Sequence, residues 1–504
     1  MQFIHELLQH QATRRPDAIC LYPEEAEPIR YGQLWRQVQA IGDWLRSEKV
    51  AAGHKVMLVG ENCPEMVALL FACSAIGAWP ISVNARLSAR EISVIADHCE
   101  PSLIFFTARC SAPADGHAAA YGAQACDAAA FPAGNKYAVL SPAAAPESAE
   151  QAQAVATLIY TSGTTGAPKG VMVSHKGLLH FARISAASRR MSPQDIAYAA
   201  LPLSHIFGIA TVLMATFHAG ASLVLRARFD VDDVLRTLAD PGISILQGVP
   251  TMFVRIVSAA ADQPRIHAPA LRYVYTGGAA LDLALKGKIE SLFGLPLHHG
   301  YGITEYAGSM FITDIDKPRG DAAAGYAVEG VELQIMQDGQ PVQQAGAKGD
   351  ILIRGPGVML GYYRNPVQTA QALLPGGWLN TGDIGYVDGD GALFITGRSK
   401  DLIIRSGFNV YPQEVEAVMN AFPGIRLSAV VGKAQEDGNE EVVAFYETED
   451  GRAIDKTALM DYLAERLAPY KRPARLMEIE QIPTTISGKI QKEPLRNRLD
   501  TAVP

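Results

Sequence analysis

The stretch YTSGTTGAPKG at residues 160–170 combines glycines and hydroxyl side chains with one proline and one lysine. This composition disfavours a helix, but it suits a loop that wraps an anion with backbone N–H groups, hydroxyls and one fixed cation. The segment departs from the nucleotide-binding loop G-x-x-x-x-G-K-[ST], because Pro168 replaces the second glycine and Gly170 replaces the final Ser/Thr. Taken alone, these residues are compatible with a phosphate-binding loop or with a simple surface turn.

Strand-like runs surround this loop and alternate with helix-length segments. They are VMLV (56–59), SLIFF (102–106), TLIYT (157–161), ISIL (243–246) and YVYT (273–276). Strands separated by helices imply crossover connections, so the pattern predicts an α/β fold with mostly parallel sheets. Residues 111–154 are rich in Ala, Pro and Gly, and we expect them to form a surface excursion rather than a core element.

The sequence pattern changes in the C-terminal third of the chain. GDILIRG (349–355) and GALFITG (391–397) predict a β-rich portion with glycine turns. Apolar residues at helical spacing then follow Pro412 and recur around Leu459, which predicts a small α+β unit. We therefore expect a large domain at residues 1–396, a hinge at 397–400 and a small mobile domain at 401–504.

The bulk properties exclude several classes of protein. The 504 residues carry a net charge of -8, whereas nucleic-acid-binding domains are usually basic. The N-terminus lacks the basic start and apolar block of a secretion signal, and the longest apolar run, 67–83, is interrupted by Gly77 and Pro80. We expect a cytoplasmic protein without a membrane span, whose cysteines are reduced thiols: Cys20, Cys63, Cys73, Cys99, Cys110 and Cys126.

Four further motifs follow the 160–170 loop in order. They are GYGITE (300–305), TGD (381–383), GRSKDLIIRSGFNVYPQEVE (397–416) and TTISGKIQKEPLR (484–496). With these motifs the chain resembles the adenylate-forming superfamily, which includes acyl-CoA synthetases, aryl-CoA ligases, firefly luciferase and the adenylation domains of peptide synthetases. The resemblance implies two half-reactions. A carboxylate attacks the α-phosphorus of ATP to give acyl-AMP and pyrophosphate, and the thiol of CoA then displaces AMP.

The same resemblance assigns an ATP site. Asp383 and Arg398 would bind the ribose, Thr304 would contact the α-phosphate, and Glu305 would bind Mg²⁺, which takes carboxylate and phosphate oxygens. Lys169 would counter the charge of the leaving phosphates. Those phosphates would lie on Thr161, Ser162, Gly163, Thr164, Thr165 and Gly166. The adenine would lie on small residues that let a flat base approach the backbone, beside a stacking tyrosine: Gly277, Gly278, Ala279, Ala280, Tyr301 and Gly302.

Two lysines have implied roles in the reaction cycle. Lys489 would reach from the small domain to the carboxylate and the α-phosphate, where a fixed cation offsets developing charge. Lys400 falls at the hinge about which the small domain would swing, and Gly407 would let the pantetheine arm of CoA pass close to the backbone. Candidate partners for the CoA phosphates, with ordinary surface charge as the alternative, are Lys433, Lys471 and Arg472.

The resemblance places the acyl pocket on four segments: LPLSHIFG (201–208), GVPTMF (248–253), TGG (276–278) and HGYGITEYAG (299–308). The implied lining, in which His205 is also a catalytic candidate, is His205, Phe207, Val249, Met252, Gly300, Tyr306 and Met310. The aspartate of amino-acid activators is absent, and Gly300 replaces the arginine of malonate activators and leaves room there. We expect a neutral monocarboxylic acid, fatty or aromatic, used with ATP, Mg²⁺ and CoA.

Other members of the superfamily define the alternatives. An acyl-AMP ligase that loads a carrier protein remains open, although the D-S-L motif of a fused carrier domain is absent from this sequence. A luciferase-like oxygenase and a non-catalytic nucleotide sensor are further alternatives. A sensor is expected to lose Lys489 or Glu305, and both are present.

Overall fold

The structure is a computed structural model that describes residues 1–24, 26–140, 145–161, 168–405, 408–435, 439–449, 453–485 and 488–501. Its largest sheet has nine strands, in the order Tyr326–Ala327, Gly308–Ile312, Leu297–Ile303, Tyr273–Gly277, Ile245–Gly248, Ile196–Ala199, Ser222–Leu225, Ile19–Tyr22 and Ile29–Arg30. The strands from Leu297–Ile303 to Ile19–Tyr22 pair in parallel, and antiparallel strands close both edges.

A second sheet of five strands lies beside it. The order is Trp79–Asn84, Lys55–Gly60, Leu103–Phe106, Lys136–Val139 and Gln124–Ala125, and the first three strands are parallel. The run TLIYT is part of the strand Val155–Thr161, which forms an antiparallel hairpin with Lys169–Ser174. This hairpin holds the two ends of the 160–170 loop in register, because Thr161 lies opposite Lys169.

The β-rich portion is an antiparallel sheet of Gln340–Val342, Glu332–Gln337, Gly349–Arg354, Trp378–Val387, Leu373–Leu374 and Leu393–Arg398. The last strand ends at Arg398, where the hinge is expected. Beyond it lie the pair Ile403–Arg405 and Phe408–Val410, and a three-stranded sheet of Ile425–Ala434, Glu440–Thr448 and Arg475–Glu478. Helices Pro412–Asn420, Lys456–Arg466 and Lys492–Thr501 accompany this C-terminal sheet.

Helices accompany the two large sheets and supply the crossovers that parallel strands require. They are His5–Arg14, Tyr31–Ser47, Pro64–Ile76, Ala89–Cys99, Ala112–Ala118, Ala149–Ala154, His175–Ser188, Ala215–Ala219, Val231–Ala239, Pro250–Ala259, Leu283–Phe293 and Pro366–Ala372. A π-helix, Phe207–Met214, runs into Ala215–Ala219, and every one of its residues is buried. No helix in the described part of the chain is long and apolar enough to cross a membrane.

The α/β prediction is confirmed, but residues 111–154 are more than a surface excursion. The strand Lys136–Val139 extends the five-stranded sheet beside Leu103–Phe106. Phe131 and Tyr137 are buried, and each ring packs edge-on against Trp44 at 5.1 Å. The abundance of Ala, Pro and Gly hid the strand Lys136–Val139 from sequence analysis, because Tyr137 in it packs against Trp44, which is distant in the sequence.

The six cysteines are free thiols. Cys63 and Cys110 lie with Glu65 so that their ligating atoms are all within 4.8 Å of one another, a grouping that the sequence spacing did not indicate. Glu65 is buried and pairs with Arg109 at 2.7 Å. Burial also raises the pKa of the Cys63 thiol well above its ordinary value.

Asn62 joins the five-stranded sheet to the predicted acyl-pocket segment. It follows the strand Lys55–Gly60 and is buried. Its Nδ2 donates to the Leu201 carbonyl at 2.9 Å, and its Oδ1 accepts from the Leu203 backbone N–H at 2.8 Å. One side chain therefore satisfies the backbone of the loop that leads into His205.

Asn62→Ala should lower the free energy of unfolding by about 1–3 kcal/mol, because it leaves buried backbone groups without partners. The exposed Asn409 offers a matched control, and Asn409→Ala should leave the melting temperature near that of the wild type. Differential scanning calorimetry of the three proteins checks this expectation. Equal melting temperatures for all three would show that Asn62 does not hold the loop.

Candidate active site

Tyr301, Asp383 and Arg398 are brought together from three strands. Asp383 lies on Trp378–Val387 opposite Arg398, and Tyr301 lies near the end of Leu297–Ile303. The Tyr301 hydroxyl donates to Asp383 Oδ2, and Arg398 Nε lies 3.2 Å from Oδ1. Burial raises the pKa of Asp383, and the charge of Arg398 opposes that rise. The result is a dehydrated carboxyl group with two donors, able to exchange them for the hydroxyls of a sugar.

On the phosphate side of the site, Lys169 and Glu305 are connected through Tyr362. Lys169 Nζ lies 5.0 Å from the centre of the Tyr362 ring, and the Tyr362 hydroxyl donates to Glu305 Oε1 at 2.9 Å. Burial, and then the charge of Glu305, raises the pKa of Tyr362. Sequence analysis missed this tyrosine, because it reaches the site only through a long-range bridge to Val171. Ser162, Gly163, Thr164, Thr165 and Gly166 lie outside the described residues.

The small residues predicted for the adenine site lie on neighbouring strands. Gly277 ends the strand Tyr273–Gly277 and pairs with Gly300, and Gly278 follows with a left-handed φ of 78°. Ala279 and Ala280 continue that loop. A Cβ at Gly302 would lie 2.3 Å from the Gly308 carbonyl oxygen, so only glycine fits there. Thr304 is buried at the start of the next turn.

Lys489 enters a narrow cleft in the large α/β portion. The cleft is lined by Leu201, Pro202, His205, Phe207, Gly208, Val249, Gly278 and Lys489. Thr251 Oγ1 donates to the Gly488 carbonyl at 3.3 Å, and the Lys489 N–H donates to Thr485 Oγ1 at 3.0 Å. Gly488 and Lys489 are thus docked on the cleft.

The cleft changes the protonation of its two basic groups. Burial, and then the nearby Arg398, lowers the pKa of Lys489 to about 8. Burial, and then the charge of Lys489, lowers the pKa of His205 to about 3, so its imidazole is neutral at pH 7. The Phe207 N–H donates to His205 Nδ1 at 3.2 Å, which places the imidazole proton on Nε2.

Of the residues predicted for the acyl pocket, His205, Phe207 and Val249 line this cleft. Met252, Tyr306 and Met310 are buried outside its lining. The room attributed to Gly300 is already filled, because a Cβ at that position would lie 2.1 Å from the Tyr275 hydroxyl oxygen. That part of the sequence analysis is corrected: Tyr275, two residues before Gly277 on the same strand, occupies the space.

The remaining predicted residues lie in or near the C-terminal sheet. Lys400 is exposed in the turn Ser399–Asp401, and Gly407 lies outside the described residues. Lys471 forms an ion pair with Glu414, which also pairs with Lys348. Lys433 lies opposite Glu441 in the sheet, and Arg472 donates to the carbonyls of Ala464 and Leu467. In this arrangement Lys471 and Arg472 are engaged within the protein.

Two family models match the chain, namely the AMP-binding enzyme model at residues 8–363 and the AMP-binding enzyme C-terminal domain model at residues 414–489. The chain belongs to the AMP-binding enzyme family. An indoleacetate–CoA ligase of Aromatoleum aromaticum is 33% identical over 98% of this chain and 97% of its own. A feruloyl-CoA synthase of an Amycolatopsis species is 32% identical over 93% of this chain and 94% of its own.

A solved structure agrees with these relatives. The O-succinylbenzoate coenzyme A synthetase of Bacillus subtilis, in complex with ATP and a magnesium ion, has a TM-score of 0.80 and 28% identity, and the match covers 98% of this chain and 99% of that chain. The protein described here is therefore an AMP-forming acyl-CoA synthetase, that is, an ATP-dependent acid–CoA ligase that works through acyl-AMP.

The lowered pKa of Lys489 generates a prediction about pH. The lysine is charged below about pH 8 and loses its proton above it, so kcat/KM for acyl-AMP formation should fall about tenfold per pH unit above that value. Lys489→Arg keeps the charge at high pH and should lack this fall, whatever its absolute rate. Initial rates of pyrophosphate release from pH 6.5 to 10 check it. The same fall in both proteins would assign the titration to another group.

Proposed function

We propose that this enzyme activates a neutral monocarboxylic acid, aromatic or fatty, as acyl-AMP and then transfers the acyl group to CoA. The observation that carries the proposal is that Lys489 lies in one cleft with His205 and Phe207. A carboxylate held there would meet a dehydrated cation at the point where it attacks the nucleotide. Fixed charge in a dry cleft is worth more than in water and requires no reorganisation during the reaction.

Each end of the ATP would have its own partners. Asp383 and Arg398 would exchange their contact for contacts with the ribose, and Tyr301 would lie against the adenine. Lys169 would face the leaving phosphates, and Thr304 the α-phosphate. Tyr362 donates a hydrogen bond to the Glu305 carboxylate, and its ring lies under the Lys169 ammonium group. The hard oxygen donors of Glu305 fit Mg²⁺, which when bound would neutralise phosphate charge.

The second half-reaction would need a different placement of the small domain, which we assign to residues 401–504, with residues 1–396 as the large domain. Its pivot would be Lys400, within the hinge 397–400, where an exposed turn can absorb a change in backbone torsion. Lys348 pairs with Glu414, which lies beyond the proposed pivot, so this contact would have to break. Its loss would leave Glu414 paired with Lys471 alone. The candidates for the CoA phosphates would be Lys471, Lys433 and Arg472, with Gly407 beside the pantetheine arm.

The neutral acid is supported by the residues that line the cleft. His205 is uncharged at pH 7, and among the described residues that line the cleft Lys489 alone carries a charge. The two curated relatives named above are ligases of acids with uncharged ring systems, indoleacetate and ferulate. Those names also favour CoA over a carrier protein as the acceptor, which leaves carrier loading as the second candidate and a luciferase-like reaction as a more remote one.

A panel of acids tests this proposal. Butyrate, octanoate and benzoate should exceed malonate and phenylalanine by several orders of magnitude in kcat/KM, because burying a second charge without a partner costs far more than losing one methylene contact. ATP-dependent thioester formation is measured with CoA and a carrier protein as competing acceptors. Malonate or phenylalanine as the best substrate would overturn the neutral-acid proposal, and transfer to the carrier protein alone would overturn CoA.

The role of Lys489 is tested by separating the half-reactions. Lys489→Ala should slow acyl-AMP formation by roughly 10²- to 10³-fold, the usual loss for one charge-stabilising contact. Thioester formation from supplied acyl-AMP should persist, because the lysine serves only the docked arrangement. Lys433→Ala, on the same domain, is the control and should retain adenylation. Equal loss of both half-reactions in Lys489→Ala would contradict the assignment of two arrangements.

A further inference from the structure

A buried arginine lies one aromatic ring beyond the cleft. Phe207, which lines the cleft, packs edge-on against Tyr275 with the ring centres 5.9 Å apart. The guanidinium carbon of Arg189 lies 4.7 Å from the centre of the Tyr275 ring. Arg189 is the residue at the C-terminal end of the helix His175–Ser188, and its side chain is fully buried.

The guanidinium of Arg189 is only partly satisfied. Its Nη1 donates to Ser185 Oγ at 2.6 Å and to the Thr211 carbonyl at 2.9 Å. Among the described residues, its Nε and Nη2 have no hydrogen-bond partner of standard geometry. The charge of Arg189 does act on the hydroxyls of Tyr273 and Tyr275, whose pKa values it lowers against the effect of burial. Buried charges in folded proteins are normally paired, so this group is built for a partner that the chain itself does not supply.

Gln247 adds a second unpartnered group on the same side of the sheet. It is 1% exposed, and neither its amide oxygen nor its amide nitrogen has a hydrogen-bond partner among the described residues. In the parallel register Gln247 lies beside Tyr275, so the two side chains share one face of the sheet. Val249, two residues further along the chain, lines the cleft. Because residues two apart in an extended segment point to the same side, Gln247 lies on the same face as Val249 and further from the cleft.

We propose that Arg189 and Gln247 form the far end of the acyl site and recognise an oxygen acceptor on the acid, remote from the reacting carboxylate. The acid would be a ring-bearing one whose distal end carries a hydroxyl, alkoxy or carbonyl oxygen. Its ring would enter past Phe207 and lie against Tyr275. Arg189 Nε and Nη2 would then donate to the oxygen, and Gln247 would complete its environment. This inference rests on the proposed acyl-AMP chemistry and refines its substrate class.

The proposed acyl tail remains neutral despite the arginine. A carbonyl or phenolic oxygen satisfies guanidinium donors, and Tyr275 and Tyr273 already stabilise the cation through their ring faces, with the guanidinium carbon 5.9 Å from the Tyr273 ring centre. Two aromatic rings, Phe207 and Tyr275, lie between the cleft and Arg189, so we expect that a short acid such as malonate would not contact the guanidinium. A distal carboxylate on a longer acid shares the acceptor chemistry, so the experiment includes one.

The experiment compares 3-phenylpropanoates that differ only at the para position: methyl, hydroxyl, acetyl and carboxylate. The kcat/KM for acyl-AMP formation is measured by pyrophosphate release. The wild type should favour the hydroxyl acid over the isosteric methyl acid by roughly 10- to 100-fold, the range for a hydrogen bond to a buried charged donor, and should also favour the acetyl acid. Arg189→Met keeps the length of the side chain but removes its charge, and should bring this ratio close to one.

Three further variants separate recognition from folding. Arg190→Met alters the neighbouring exposed arginine, which pairs with Asp316, and should keep the wild-type ratio. Arg189→Lys should retain part of the preference, because it keeps a cation. If Arg189→Met does not fold, Gln247→Leu carries the test and should lower the ratio several-fold. Melting temperatures are recorded for each protein, and the ratio between acids is independent of the amount of active enzyme.

The outcomes are distinguishable. Adenylation of no acid would defeat the proposed function itself. Adenylation without preference for an acceptor, or an unchanged ratio in both Arg189→Met and Gln247→Leu, would overturn the subsite and leave Arg189 and Gln247 as a structural polar network only. A distal carboxylate that is preferred in the wild type and not in Arg189→Met would support the subsite and replace the neutral tail with an anionic one.

Discussion

In the mechanism that we propose, the reaction depends on holding one cation, Lys489, in a cleft that removes water from it. An acid and a nucleotide are both anions, and their reaction concentrates negative charge at one phosphorus, so the protein must supply positive charge that does not have to reorganise. Dehydration has a cost, which is visible as the lowered pKa of Lys489. The lysine resides on a loop outside the large α/β portion, and Thr251 contacts the residue before it, Gly488. A cation delivered on a separable loop can therefore be present for one half-reaction and withdrawn for the next.

The large sheets exist in this arrangement to position the other groups around that cation. Parallel strands end at one edge, and the loops that follow them bring together residues far apart in the chain. Gly277, Gly300 and Val249 come from or follow neighbouring strands of the nine-stranded sheet. Asp383 and Arg398 come from the antiparallel sheet and meet Tyr301 from the parallel one. Asn62 follows a strand of the five-stranded sheet, and its side chain forms hydrogen bonds with the backbone of the loop before His205.

Much of this could be predicted from the sequence, and the failures share a cause. The alternation of strands and helices predicted the fold class, because it is a local pattern. The motifs also named Tyr301, Asp383 and Arg398, which the structure brings into contact, whereas their role in binding stays a prediction. Tyr362, Asn62 and Arg189 were missed because each acts through contacts with residues distant in sequence. The prediction of free space beside Gly300 was wrong for the same reason. The absence of a side chain is readable from sequence, whereas the neighbour that fills the space, Tyr275, is set by strand register.

The site contains two kinds of buried polar group, and they select ligands differently. Tyr301, Asp383 and Arg398 satisfy one another, so in the proposed site a ribose would replace contacts of similar quality and its net gain would be small. Nε and Nη2 of Arg189 and the amide of Gln247 have no such partners among the described residues. An acid with an oxygen acceptor there would gain the free energy of new hydrogen bonds, whereas an acid without one would leave these buried groups unsatisfied. In the proposed site, the groups that would bind the nucleotide are therefore arranged to exchange it, whereas those at the far end of the acyl site would discriminate between acids. That division suits an enzyme in which ATP is the same in every turnover and the acid is the variable to be chosen.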